Sequence, residues 1–272
     1  MIRAASALRP APARAAGIER KSAREIETMR QAGRIVAVTL AELRAHARPG
    51  MTTRQLDALA EKVIVQHKAR PAFKDYPGPY PFPGSVCVSV NEELVHGLPG
   101  KRVLKDGDLV SIDCGVFYQG YYGDAAISFG LGHCSPEVER LLAVTRGALW
   151  AAIALMRPGQ RTGDMAAAIQ KHVENRGCSV VREYTSHGIG REMHEEPYIH
   201  NYGKAGTGPI LRPGMTIALE PMVLAGRPAV RRLADQWTVV SKDNRLTAHM
   251  EHTVAVTEGA PEVLTRRVEG EK

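Results

Sequence analysis

The sequence predicts an α/β protein of the α+β kind, made of two pseudo-symmetric halves that face each other across one site. Three observations predict it. First, Arg48-Pro49-Gly50-Met51-Thr52-Thr53 recurs as Arg157-Pro158-Gly159-Gln160-Arg161-Thr162, each copy joining two segments of helical periodicity. Second, a short strand and a His-Gly pair follow in each half, His96-Gly97 and His187-Gly188. Third, Gly107 precedes Asp113 and Gly214 precedes Glu220 by the same interval. Each acid sits in an apolar strand, and each is followed by a strand with a second carboxylate, Asp124 or Glu251.

The elements follow in chain order. Residues 1–20 carry Arg3, Arg9, Arg14 and Arg20 against a single acid, Glu19, and are broken by Pro10 and Pro12. They read as a basic, disordered tail, with an organelle transit peptide as the alternative. Residues 21–272 are expected to form one domain. Ser22 and Glu25 make a capping box ahead of Ile26, Met29, Val36, Leu40 and Leu43 at helical spacing. Thr52 and Gln55 cap a second helix. Residues 74–84, rich in Pro, Gly and Tyr, read as an irregular loop, and 86–90 as a short strand. Segments 110–117 and 121–129 read as strands joined by a Gln119-Gly120 hairpin turn. Ser135-Pro136 starts a long helix that ends at Pro158-Gly159, and a further helix runs from about 164 to 175.

Composition excludes several classes. The 272 residues are 44% hydrophobic, enough for a sizeable core. The net charge is +7, without clustered Lys/Arg and interleaved aromatics, so no DNA-binding face is expected. A transient contact with ribosomal RNA remains compatible with it. No apolar run approaches the roughly 18 residues of a membrane span. Cys87, Cys114, Cys134 and Cys178 form no CxxC pair, which fits reduced thiols in the cytoplasm. His194-Glu195 lacks the second His of an HExxH helix, Gly188-Ile189-Gly190 lacks the third glycine of a dinucleotide loop, and no Gly-x-Ser-x-Gly elbow occurs.

The chemistry lies in the strand acids. An ionised carboxylate in an apolar strand is costly unless paired or bound to metal. Asp113 and Asp124 fall close together across the hairpin, where like charges repel. Glu220 and Glu251 repeat the pattern, and His187 is the best nitrogen ligand. Four acids balance two divalent cations, and oxygen-rich ligation with one imidazole suits Mn, Fe, Co or Zn. Two such cations about 3.5 Å apart can share a hydroxide and polarise an amide carbonyl. Glu220 is then placed to take the water's proton, and His96 and His194 to hydrogen-bond the scissile amide and the oxyanion. Taken singly, a strand Asp can pair with an Arg, and a His beside Gly can be a turn residue. It is the ordered set that favours metal.

That set resembles the type I methionine aminopeptidases. The resemblance spans about residues 22–258 and rests on Asn91-Glu92-Glu93-Leu94-Val95-His96-Gly97, Asp113 with Tyr122-Gly123-Asp124, Ser186-His187-Gly188-Ile189-Gly190-Arg191, His194-Glu195-Glu196-Pro197, Leu219-Glu220-Pro221-Met222 and Glu251-His252-Thr253. It implies the pita-bread fold, an antiparallel sheet covered by helices. It also implies a dinuclear site with Asp113, Asp124, His187, Glu220 and Glu251 as ligands, Asp124 and Glu251 bridging. Tyr76, Phe82, Cys87 and Trp237 match positions around the substrate's Met side chain, where a thioether packs well against rings. The implied activity is removal of the N-terminal Met from nascent chains with a small second residue, by a monomer. Two departures touch the pocket rim: the 76–82 segment is longer than usual, and Met193 stands where many members carry Phe. X-Pro aminopeptidases or dipeptidases, and a non-catalytic binding protein on the same fold, are the alternatives. The former usually carry a large extra N-terminal domain. The latter is expected to have lost ligands, and all five are present here.

Overall fold

The structure is a computed structural model that describes residues 17–266. The tail expected at 1–20 lies mostly outside the described residues. Within it, Ile18 packs on the core of the second half and the Arg20 side chain bonds the Pro213 carbonyl at 2.8 Å; just after it, the Lys21 amide bonds the Gly214 carbonyl at 2.7 Å.

Four helices are present among the described residues: α1 (Ala23–His46), α2 (Thr53–Gln66), α3 (Pro136–Ile153) and α4 (Thr162–Glu174). The caps form as the sequence predicts. Ser22 and Glu25 close a box at α1, Thr52 and Gln55 close another at α2, and Ser135 caps α3 with Pro136 in its first turn. Each half has its own core. In the first half, Leu40, Leu43, Leu56 and Ile64 of α1 and α2 pack on Val88, Val110 and Ile112. In the second, Leu141, Leu149, Met165 and Ile169 of α3 and α4 pack on Ile217, Leu219 and Val223. No helix among the described residues is long and apolar enough to cross a membrane.

The strands Leu109–Tyr118 and Tyr121–Gly130 form one long antiparallel hairpin. Gln119 and Gly120 turn it with φ of 47° and 89°, the left-handed pair that matches strand twist. Cys87–Val90 pairs with the outer side of Leu109–Tyr118. In the second half, Thr185–Gly188, Thr216–Leu219 and His252–Ala255 lie in one antiparallel sheet, and Met222–Leu224 pairs with Thr247–His249.

The internal repeat is visible bond by bond. The Gly50 amide reaches the Leu104 carbonyl at 2.8 Å, and Gly159 reaches Leu211 at 3.1 Å. Thr52 bridges Val103, and Arg161 bridges Ile210. Gly50 and Gly159 hold φ of 91° and 88°, and Gly107 and Gly214 hold 86° and 91°, a region that favours glycine.

The halves join at their centre. Thr253 Oγ1 bonds both the amide and the carbonyl of Asp124, Ser128 Oγ bonds both the amide and the carbonyl of His249, and the Glu251 amide donates to Ala126 at 2.9 Å. These contacts refine the repeat. Asp124 lies opposite Gly115 as His249 lies opposite Met222, so His249, not Glu251, is the equivalent of Asp124. Glu251 takes the position of Ala126. Counting carboxylates along the chain hides this, because the second half carries its acid two residues further on.

Candidate metal centre

All five expected ligands converge at this join. Asp113 faces Cys87 on one side and Ala126 on the other. Asp124 lies opposite Gly115, so the two aspartates are diagonal neighbours on one face of the hairpin. Glu220 ends the strand Thr216–Leu219. Its amide donates to Ser186 Oγ at 3.0 Å, and its carbonyl accepts from the Asn201 side chain at 2.9 Å. Glu251 is 2% exposed and follows Thr247–His249. His187, also buried, has Nδ1 2.9 Å from the Gly188 carbonyl. That bond places the ring proton on Nδ1 and turns the Nε2 lone pair toward Glu220 Oε1, 3.5 Å away.

Burial pushes the Asp113 carboxyl up to about 6. Burial, reinforced by the neighbouring carboxylates, raises Asp124, Glu220 and Glu251 well above the ordinary range. Among the described residues, no Lys or Arg forms an ion pair with any of them, and their ion-pair contacts are with His187 and His249. Asp113 Oδ1, Asp124 Oδ1, Glu251 Oε1 and His249 Nε2 are buried without a hydrogen-bond partner among the described residues. Such atoms require a partner. Asp124, His187 and Glu251, and separately Glu220, His249 and Glu251, bring ligand atoms within 4.8 Å of one another. Hard oxygen donors with imidazole fit a divalent metal ion.

The two remaining histidines border the cluster. His96 sits at φ 58° after the strand Glu93–Val95, its ring edge-on to Tyr184 and Trp237. His194 Nδ1 is 2.8 Å from the Tyr76 hydroxyl, and its ring centroid is 4.3 Å from that of His187. Burial lowers both imidazoles to about 3, so both are neutral near pH 7.

Phe82, Cys87 and Trp237 are buried together, with Phe73, Tyr76 and Leu98 packed around them. Phe82 meets Trp237 edge-on at 5.1 Å. The 76–82 segment is folded back on itself: Asp75 donates to the Phe82 carbonyl, Phe82 to that of Tyr76, and the Tyr80 hydroxyl to that of Asp235. Gly78 lies against the Trp237 ring, where a Cβ would overlap it. Met193 is buried and packs with Phe73 over Gly115.

Four side chains that neighbour the expected residues escape the sequence reading. His249 is legible only as the same-face neighbour two residues before Glu251. Tyr80 is one of the few aromatics in the chain and lies in a loop without periodicity. Phe73 and Tyr184 carry no local signal.

The model of metallopeptidase family M24 matches residues 27–258. Methionine aminopeptidase 1 of Bacillus subtilis (strain 168) is 51% identical over 246 residues, 90% of this chain and 98% of that one. The crystal structure of methionine aminopeptidase from Thermotoga maritima superposes with a TM-score of 0.89 at 46% identity, covering 92% of this chain and 100% of that one. Prolidase from Pyrococcus furiosus shares the fold, with a TM-score of 0.71 at 22% identity, over 92% of this chain and 66% of that one.

Proposed function

From the premise that the chain belongs to the methionine aminopeptidases of metallopeptidase family M24, we propose that it removes the N-terminal Met of polypeptides at the centre formed by Asp113, Asp124, His187, Glu220 and Glu251. The observation that carries this reading is the group of buried carboxylate oxygens with no partner among the described residues, gathered from both halves.

The five side chains would hold two divalent cations, whose charge offsets that of the four carboxylates. When bound, divalent cations supply Lewis-acid activation of water and of a carbonyl. The protein does the rest. Glu220 takes the proton of the attacking water. We take the Tyr76 hydroxyl, 2.8 Å from His194 Nδ1, as the donor of that bond, which leaves the Nε2 proton of His194 free to hydrogen-bond the substrate. Neutral His96 donates from the other side toward the scissile amide. Phe82, Cys87, Trp237 and Tyr76 surround an unbranched thioether side chain, which fits irregular apolar gaps and ring edges.

This reading takes residues 21–272 as one catalytic domain, working as a cytoplasmic monomer on nascent chains. The +7 net charge supports a transient ribosomal contact. The test is a metal-reconstituted assay on Met-Ala-Ser, Leu-Ala-Ser and an X-Pro peptide. Cleavage confined to Met-Ala-Ser supports the reading, and preference for the X-Pro peptide overturns it.

A further inference from the structure

The relation between Asp124 and His249 reaches beyond the five expected ligands. Both residues face the same gap, and both have their main chain held at amide and carbonyl by a hydroxyl from the opposite half, Thr253 or Ser128. Each stands one register step from the first acid of its half. Asp124 lies opposite Gly115, two residues after Asp113; His249 lies opposite Met222, two residues after Glu220. The internal twofold therefore puts an imidazole where the first half has a metal-facing carboxylate.

His249 is 2% exposed, and its Nε2 is 3.3 Å from Glu220 Oε2 and 3.9 Å from Glu251 Oε2. Despite that proximity Nε2 makes no hydrogen bond among the described residues. A nitrogen that is buried, unpartnered and flanked by two carboxylate oxygens has the surroundings of a ligand atom.

We propose that His249 is a sixth protein ligand, binding through Nε2 the cation held by Glu220 and Glu251. Each side of the centre then has one imidazole: His187 with Asp124 and Glu251, His249 with Glu220 and Glu251. The inference rests on the metal-centre reading above. Replacing a carboxylate by imidazole in the second half keeps the centre from accumulating further negative charge. It also favours Fe, Co or Zn over Mn at that position.

The experiment titrates the full chain, stripped of metal, with Co²⁺ alone. Calorimetry and visible absorption are followed for the unaltered protein, His249→Ala and the bulkier His249→Gln, with far-UV circular dichroism as the check on folding. The expected result is a loss of about tenfold or more in affinity for one cation in both variants. The Co²⁺ absorption bands should change as well, and free imidazole should restore them in His249→Ala. Unchanged bands overturn the proposal, even where affinity falls, because that combination leaves His249 outside the coordination sphere. If the unaltered protein takes up no Co²⁺, the metal-centre reading itself fails; uptake with indistinguishable variants removes only the role of His249.

Discussion

Thr253 grips the main chain of Asp124 from the opposite half of the molecule: its Oγ1 accepts from the Asp124 amide at 3.0 Å and donates to the Asp124 carbonyl at 2.8 Å. All three atoms are buried, so the pair both joins the halves and aims a carboxylate. Thr253→Val keeps the side chain's shape and leaves a buried N–H and C=O unpaired. The expected loss is about 1–3 kcal/mol, read from the denaturant midpoint. Thr253→Ser should recover most of it. Equal stability of Thr253→Val and the unaltered protein would refute the importance of this junction.

Removing one acid should separate activity from stability. Glu251→Gln and Asp113→Ala are expected to abolish cleavage of Met-Ala-Ser while the protein stays folded. Without metal, each variant should melt above the unaltered protein, since the buried like charges are fewer. Normal turnover by either variant would reject the site assignment.

Chelation should destabilise the protein more at high pH than at low pH. Asp113, with its carboxyl pushed up to about 6, and the more strongly raised Asp124, Glu220 and Glu251 have folded pKa values above their unfolded values of 3.8 and 4.5. The folded metal-free chain therefore holds protons that the unfolded chain has released. Its stability falls as pH rises from the unfolded values through the folded ones. Thermal melts with and without chelator at pH 5 and pH 8 measure this. The expected gap widens at pH 8, and a gap independent of pH contradicts it.

Tyr76 links the pocket to the chemistry through His194. His194→Ala should lower kcat by about 10²-fold with metal uptake retained. Tyr76→Phe keeps the ring in the pocket but loses the hydroxyl on Nδ1. A fall in kcat with little change in KM is expected. A change confined to KM would limit Tyr76 to side-chain binding.

Lys21 ties the start of the described chain to the loop that carries His194. Its side chain is 2% exposed and pairs with Glu195, whose Oε1 also accepts from the Arg191 and Glu192 amides at 2.7 and 3.1 Å. Lys21→Met leaves a half-buried carboxylate without its cation, at an expected cost of about 1–3 kcal/mol in chemical denaturation. Lys21→Met with Glu195→Gln should lose less than Lys21→Met alone.

Much of this site is written locally. Asp113, Asp124, Glu220 and Glu251 stand out because ionised carboxylates sit in apolar strand segments, where solvation alone cannot account for them. The capping boxes of α1 and α2 and the Gln119-Gly120 turn are legible for a similar reason: each satisfies backbone groups within a few residues. His249 is not legible in this way. A single His in a strand has a bland reading, and its meaning here comes from Ser128, 121 residues away. The 74–84 segment has no periodicity at all, so the Tyr76 contact with His194 depends on a fold-back that sequence spacing does not express.

The chain's own pattern thus determined which side chains cannot be buried without a counter-charge, and that they recur in two halves. Only the tertiary structure decided which of them meet, and its strand register made His249 rather than Glu251 the counterpart of Asp124 in the second half. The reason is physical. Meeting depends on strand register between segments as much as 129 residues apart, and a shift of one residue in register turns a side chain to the opposite face.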